Sequence, residues 1–161
     1  MGKEAKTNAM RILEQKGIPF RINRYQCDAF IDGVHIADQL GQDRARSFKT
    51  LVAAGRSGAH YVFALPVAKE LDLRKAAAAV GEKSVELVPV KELTALTGYI
   101  RGGCTPIGMK KQFQTVFDET ALLFDEIIIS GGRIGTQIIL NPLELNILKK
   151  VIPCQFKDIL L

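Results

Sequence analysis

Tryptophan is absent from these 161 residues, and aromatic side chains make up only 7%. The core must therefore be aliphatic, which the 47% apolar fraction can supply. Cysteine is scarce. Cys27, Cys104 and Cys154 are odd in number, with no repeated spacing and no CxxC pair. Neither a disulfide framework nor a structural zinc finger is expected on that count, and free thiols suit a reducing compartment, so a cytoplasmic protein is expected. No apolar run approaches the ~18 residues of a membrane helix. The polar stretch Met1–Asn8 lacks the apolar segment of a signal peptide, and position 6, where a myristoylation signal needs Ser or Thr, holds Lys6. Two histidines without metal-like spacing argue against a metal site, and nothing calls for a cofactor. There is no internal repeat and no linker rich in Pro, Gly or Ser, so residues 1–161 read as one domain, within the range of ~100–200 residues that single domains occupy.

The charge is uneven. Of 22 basic and 17 acidic side chains, residues 1–60 hold 10 and 6. A surplus in the N-terminal third fits a polyanionic partner such as RNA, and equally an ordinary basic surface.

Periodicity gives a series of short elements. Thr7 caps a helix running to Lys16, ended by Gly17 with Pro19 beyond. Phe20–Tyr25 alternates as a half-buried strand. A short helix spans His35–Leu40. Phe48–Ala54 and Tyr61–Val67 form a hairpin around Gly55–Gly58. Leu71–Val80 is an alanine-rich helix closed by Gly81, Val85–Val88 a strand, and Val90–Thr97 a helix between Pro89 and Gly98. Strands follow at Thr115–Phe117, Ile127–Ile129 and Gln137–Leu140. Asn141 and Pro142 open a helix to about Val151, and the tail Cys154–Leu161 is expected to dock. Hairpins mixed with separated helices predict an α/β (α+β) fold with a mixed, mainly antiparallel sheet rather than a doubly wound one.

Three segments carry candidate chemistry. Arg101-Gly102-Gly103-Cys104-Thr105-Pro106-Ile107-Gly108 can converge backbone N–H groups into an anion nest or an oxyanion hole, or can simply make a tight bend. Gly103 to Gly108 has phosphate-loop spacing, but Met109-Lys110 follows where Lys-Ser or Lys-Thr is needed, which argues against ATP or GTP hydrolysis. Ser130-Gly131-Gly132 follows an apolar strand and either faces the same cleft or makes a hairpin turn. Lys49 shares a strand face with Leu51, so it either snorkels at a sheet edge or lines a pocket that wants a cation. Glycine-loop amides could lower the Cys104 thiol pKa. Its only possible bases are His35 and His60, neither with an orienting carboxylate evident from spacing. No acid/base carboxylate pair is visible. This is a poor inventory for an enzyme that moves protons with its own side chains.

In order, Thr7-x-Ala9 in the first helix, Arg46-Ser47-Phe48-Lys49-Thr50-Leu51, Gly98-Tyr99-x-x-Gly102-Gly103-x-Thr105-Pro106-x-Gly108 and Ser130-Gly131-Gly132 resemble the YbaK/EbsC family of aminoacyl-tRNA deacylases, relatives of the editing domain inserted in bacterial prolyl-tRNA synthetases. The resemblance spans nearly the whole chain and is strongest to the stand-alone branch that clears cysteine wrongly attached to proline tRNA. It implies a sheet curved into a partial barrel with surrounding helices. It also implies that Lys49 contacts the tRNA 3′ end, with Thr50 beside it. Gly102 and Gly103 would hold the ester carbonyl through their amides, and Thr105, Pro106 and Gly108 would shape that loop. Ser130 and Gly131 would form the opposite wall, and Tyr25 the rim. Thr105 stands where the family more often has Ser, adding a methyl that would tighten the pocket. Cys104 falls at a variable position. Catalysis without a protein nucleophile is implied, the substrate's thiol attacking its own ester and leaving as a thiolactone. A weak complex with prolyl-tRNA synthetase is a further expectation. Alternatives are a deacylase for alanine on proline tRNA, a non-catalytic tRNA- or synthetase-binding module, and a Cys104 thiol hydrolase.

Overall fold

A computed structural model describes residues 5–142, 149 and 152–161. Helix α1 (Asn8–Gln15) starts where Thr7 Oγ1 accepts the Met10 amide, as the cap signal predicts. Strand β1 (Arg21–Arg24) lies within the alternating segment. Helix α2 (Gly33–Gln39) begins two residues earlier than expected, because Asp32 caps it through the His35 amide. Strands β2 (Phe48–Gly55) and β3 (His60–Pro66) form the expected hairpin, with Lys49 opposite Leu65 and Thr50 opposite Ala64. Helix α3 (Leu73–Val80) is capped by Asp72 and ends at left-handed Gly81. Strand β4 (Val85–Leu87) precedes α4 (Val90–Thr97). Strand β5 (Gln114–Asp118) leads into an unanticipated 3₁₀ turn, Glu119–Leu123, capped by the Asp118 carboxylate. Strands β6 (Ile127–Ser130) and β7 (Thr136–Leu140) follow. The tail docks as expected, by forming strand β8 (Cys154–Lys157). The helix expected between Asn141 and Val151 falls largely outside the described residues.

The strands form two sheets. One has the order β1-β7-β6, and the other β4-β2-β3-β5-β8. Pairing is antiparallel except at β3–β5 and β5–β8, so the five-stranded sheet is mixed, the three-stranded one antiparallel, and the pairing as a whole mainly antiparallel. The sheets meet where Ser47 bridges Ile128 and the Ile128 amide donates to the Arg46 carbonyl at 2.9 Å. No closed barrel forms among the described residues.

Three apolar clusters hold this frame. One packs α1 (Ala9, Leu13) against Phe48, Ile127, Ile138 and Leu140. A second packs Ala76 and Ala77 of α3 against Phe63, Leu65 and Val116. A third joins Val52 and Val62 to Tyr99, Cys104, Met109 and Phe113. The fully buried large side chains are mostly Leu and Ile, with Phe63 and Phe117 among them, and each contributes about 1.5–3 kcal/mol on burial. Two packing directions thus leave β2, one through Phe48 toward α1 and one through Leu51 toward α3, and the cavity opens between them.

Candidate active site

Lys49 sits on β2 facing the same way as Leu51, which packs with the α3 cluster. It is half-buried and has no carboxylate within ion-pair distance among the described residues. Burial pushes its pKa below the usual lysine value, against a weaker opposing pull from Glu70 and Asp32. Of the two readings its position allowed, the structure selects the pocket: Lys49 lines a cavity of about 360 Å³. A desolvated ammonium without an ion-pair partner on a cavity wall is suited to an anionic or strongly polarised oxygen ligand.

That cavity brings together Tyr25, Lys49, Thr50, Gly102 and Ser130, residues drawn from segments more than a hundred positions apart at the extremes. Gly103, Thr105, Pro106, Gly108 and Gly131 are not on its wall but behind it. The Gly103 amide donates to the Ile100 carbonyl at 2.9 Å, whereas the Gly102 amide makes no backbone hydrogen bond to a described residue. The Gly131 amide donates to Thr136, and its carbonyl accepts the Thr7 hydroxyl at 2.7 Å. Asn8 donates to the Gly108 carbonyl at 2.8 Å. Tyr99 Oη donates to the Ile107 carbonyl at 2.7 Å. The start of α1 therefore ties both glycine loops together, one through Thr7 and the other through Asn8. Pro106 is buried, and its carbonyl accepts Gln112 Nε2. The Thr105 hydroxyl is fully buried, with no hydrogen-bond partner among the described residues.

Several wall residues carried no signal in the sequence reading. Gln42 and Gln137 exchange amide hydrogen bonds at 2.8 and 3.1 Å, and Asn23 donates to the same Gln137 oxygen at 2.9 Å. This gives the wall a neutral, fixed polar section. Arg101 lies over Phe30, its guanidinium carbon 4.0 Å from the ring centroid, and both line the cavity. Arg101 opens the glycine-rich candidate segment, where it carries no role of its own. Phe30, a lone aromatic in a polar loop, gave no pattern.

The thiol reading is corrected. Cys104 lines the cavity, and burial pushes its thiol up to about 12, so of the readings left open the lowering by loop amides is not the one found. His60 packs against Phe113, with ring centroids 5.6 Å apart. His35 does have a carboxylate partner that spacing did not suggest: its Nδ1 lies 2.7 Å from Asp32 Oδ2. No group of three or more potential metal ligands exists among the described residues, and no helix there is long and apolar enough to cross a membrane.

The model of the aminoacyl-tRNA editing domain matches residues 34–147. A protein of Enterococcus faecalis named EbsC, described as a candidate Cys-tRNA(Pro)/Cys-tRNA(Cys) deacylase, is 45% identical over 140 residues, covering 86% of this chain and 85% of its own. The crystal structure of a candidate trans-editing enzyme for prolyl tRNA synthetase matches with a TM-score of 0.81 and 25% identity, over 98% of this chain and 99% of that one. A hypothetical protein shares the fold at a TM-score of 0.85 and 22% identity, over 96% and 100%.

Proposed function

The chain belongs to the aminoacyl-tRNA editing domain family, and on that premise we propose that it is a trans-acting deacylase that clears cysteine wrongly attached to proline tRNA. The observation that carries this reading is Lys49, half-buried and without an ion pair among the described residues, on the same cavity wall as Gly102. The similarity to EbsC supports the choice of substrate.

In this reading Lys49 holds the tRNA 3′ end, with Thr50 and Tyr25 framing the aminoacyl group and Ser130 on the far wall. The Gly102 amide donates to the ester carbonyl oxygen. Gly103 fixes Gly102 through its own bond to Ile100 rather than meeting substrate. The substrate's thiol, ionised, attacks its own ester carbonyl carbon. The bond from that carbon to the ribose oxygen breaks, water returns the thiol's proton to the ribose oxygen, and a cyclic thiolactone leaves. No protein nucleophile is required, which agrees with a Cys104 thiol held protonated. Holding the thiol against the ester can contribute ~7–11 kcal/mol, and one preorganised oxyanion donor ~3–4 kcal/mol more.

The cavity takes the aminoacyl 3′ end, which tRNAs have in common, so tRNA choice falls to a partner. A weak complex with prolyl-tRNA synthetase would supply it, and a pull-down with tRNA present tests that.

The substrate is tested by incubating the protein with Cys-tRNA(Pro), Ala-tRNA(Pro) and Ser-tRNA(Pro). Loss of the cysteinyl ester alone is expected, because only a thiol cyclises readily. Cleavage of the alanyl ester would instead assign an alanine deacylase using water. No cleavage of any of the three would leave a tRNA-binding module.

A further inference from the structure

Among the described residues, three charged side chains line the cavity: Lys49, Arg101 and Asp32. Asp32 is the only carboxylate on the wall among the described residues. Its Oδ1 accepts the His35 amide at 3.0 Å, and its Oδ2 faces His35 Nδ1 at 2.7 Å. The adjoining backbone is pressed onto the end of β3: a Cβ on Gly33 would stand 2.5 Å from Val67 Cγ1. The carboxylate is therefore oriented by two contacts while its side chain stays about 54% exposed, and each of its oxygens keeps acceptor capacity beyond the His35 contacts.

An aminoacyl ester carries an α-amino group one carbon from the carbonyl that the enzyme must hold. As an ammonium it is repelled by Lys49 and Arg101, and the Gln42–Gln137 section is neutral and already paired. Asp32 is the one complementary charge on the wall among the described residues. We propose that Asp32 accepts the substrate's α-ammonium, so that the pocket takes aminoacyl esters with a free amino group and rejects N-acylated ones, peptidyl esters included. This rests on the deacylase reading for the identity of the ligand. It goes beyond that reading in assigning a determinant for the amino end of the substrate. If Asp32 served only to cap α2, Asp32→Asn would be silent, since Asn caps as well as Asp.

The test measures binding apart from chemistry. A non-cleavable analogue, cysteine joined to 3′-amino-3′-deoxyadenosine by an amide, is titrated calorimetrically with its α-amine free or acetylated, against wild type and Asp32→Asn. Acetylation is expected to weaken binding to wild type about tenfold to a hundredfold, the range of a charge-assisted hydrogen bond. Asp32→Asn should weaken the free-amine analogue by a similar factor and leave the acetylated one unchanged, with both proteins titrated well below their melting temperatures. Equal binding of both analogues to wild type, or equal weakening of both by Asp32→Asn, would overturn the proposal. Absence of binding by either analogue would overturn it together with the deacylase reading. The expected binding pattern with no cleavage of Cys-tRNA(Pro) would remove the deacylase reading and leave Asp32's role standing.

Discussion

A Cβ on Gly103 would stand 2.8 Å from the Cα of Arg133. The loop from Arg101 to Gly108 and the turn after β6 thus touch backbone to backbone, a contact only glycine permits at this position. Gly103→Ala must push one loop away from the other. Overpacking of this kind costs about 1–3 kcal/mol, so a lowered melting temperature is expected. Because Gly102 moves with its neighbour, deacylation should fall further than stability alone explains, and single-turnover rates well below the melting temperature measure that excess.

Lys49 sets an alkaline limit. Its pKa lies below the ordinary 10.5 because burial disfavours the ammonium. Activity that needs the charged form is fully present below that lowered pKa and is lost as pH rises through it. Lys49→Arg keeps the charge at any accessible pH. The variant should be slower at neutral pH, because the planar fork fits the site poorly, but its alkaline limb should move to higher pH. An unmoved limb would assign the titration to another group.

Cys104 should be inert. With its thiol pushed up to about 12, thiolate is scarce at neutral pH. Alkylation of the native protein at neutral pH should spare Cys104 and label half-buried Cys27 first, as read by peptide mass analysis. Cys104→Ser should leave turnover within about twofold of wild type, since no step is assigned to the thiol.

Glu82 clamps the β2–β3 hairpin. Its carboxylate accepts the Ser57 hydroxyl at 2.5 Å and the Tyr61 phenol at 2.6 Å, and the Ser57 hydrogen bond followed by that of Tyr61 holds its pKa below the ordinary 4.5. A lowered carboxyl pKa stabilises the fold above the ordinary value, and that contribution disappears as pH falls through the folded value. Glu82→Gln should therefore melt lower than wild type at pH 7, with the gap narrowing below pH ~4.5. A gap independent of pH would show that packing, not charge, holds the hairpin.

Much of this was readable locally. Thr7, Gly81 and Gly98 mark helix ends through their own backbone and capping chemistry, and the hairpin around Gly55–Gly58 follows from two apolar runs and a glycine turn. What local pattern did not carry is long-range. The parallel pairing of β8 with β5 joins segments about forty residues apart, and nothing in Cys154–Lys157 specifies its partner. The same holds in the site. The spacing around Lys49 gave its strand face, but whether that face met solvent or a cavity depended on loops that arrive from Asp32 and Gly102. Gln42 and Gln137 form a pair only through tertiary contact. Glycines of one motif also divided between roles, Gly102 on the wall and Gly103 behind it, because amide direction is set by the fold and not by residue type.

The most direct measurement is single-turnover deacylation of Cys-tRNA(Pro) by wild type and Lys49→Ala, with circular dichroism and melting confirming that both are folded. Removing one preorganised electrostatic contact is expected to slow cleavage about a hundredfold or more. Wild-type cleavage retained in full by folded Lys49→Ala would contradict the central role of Lys49 in this cavity.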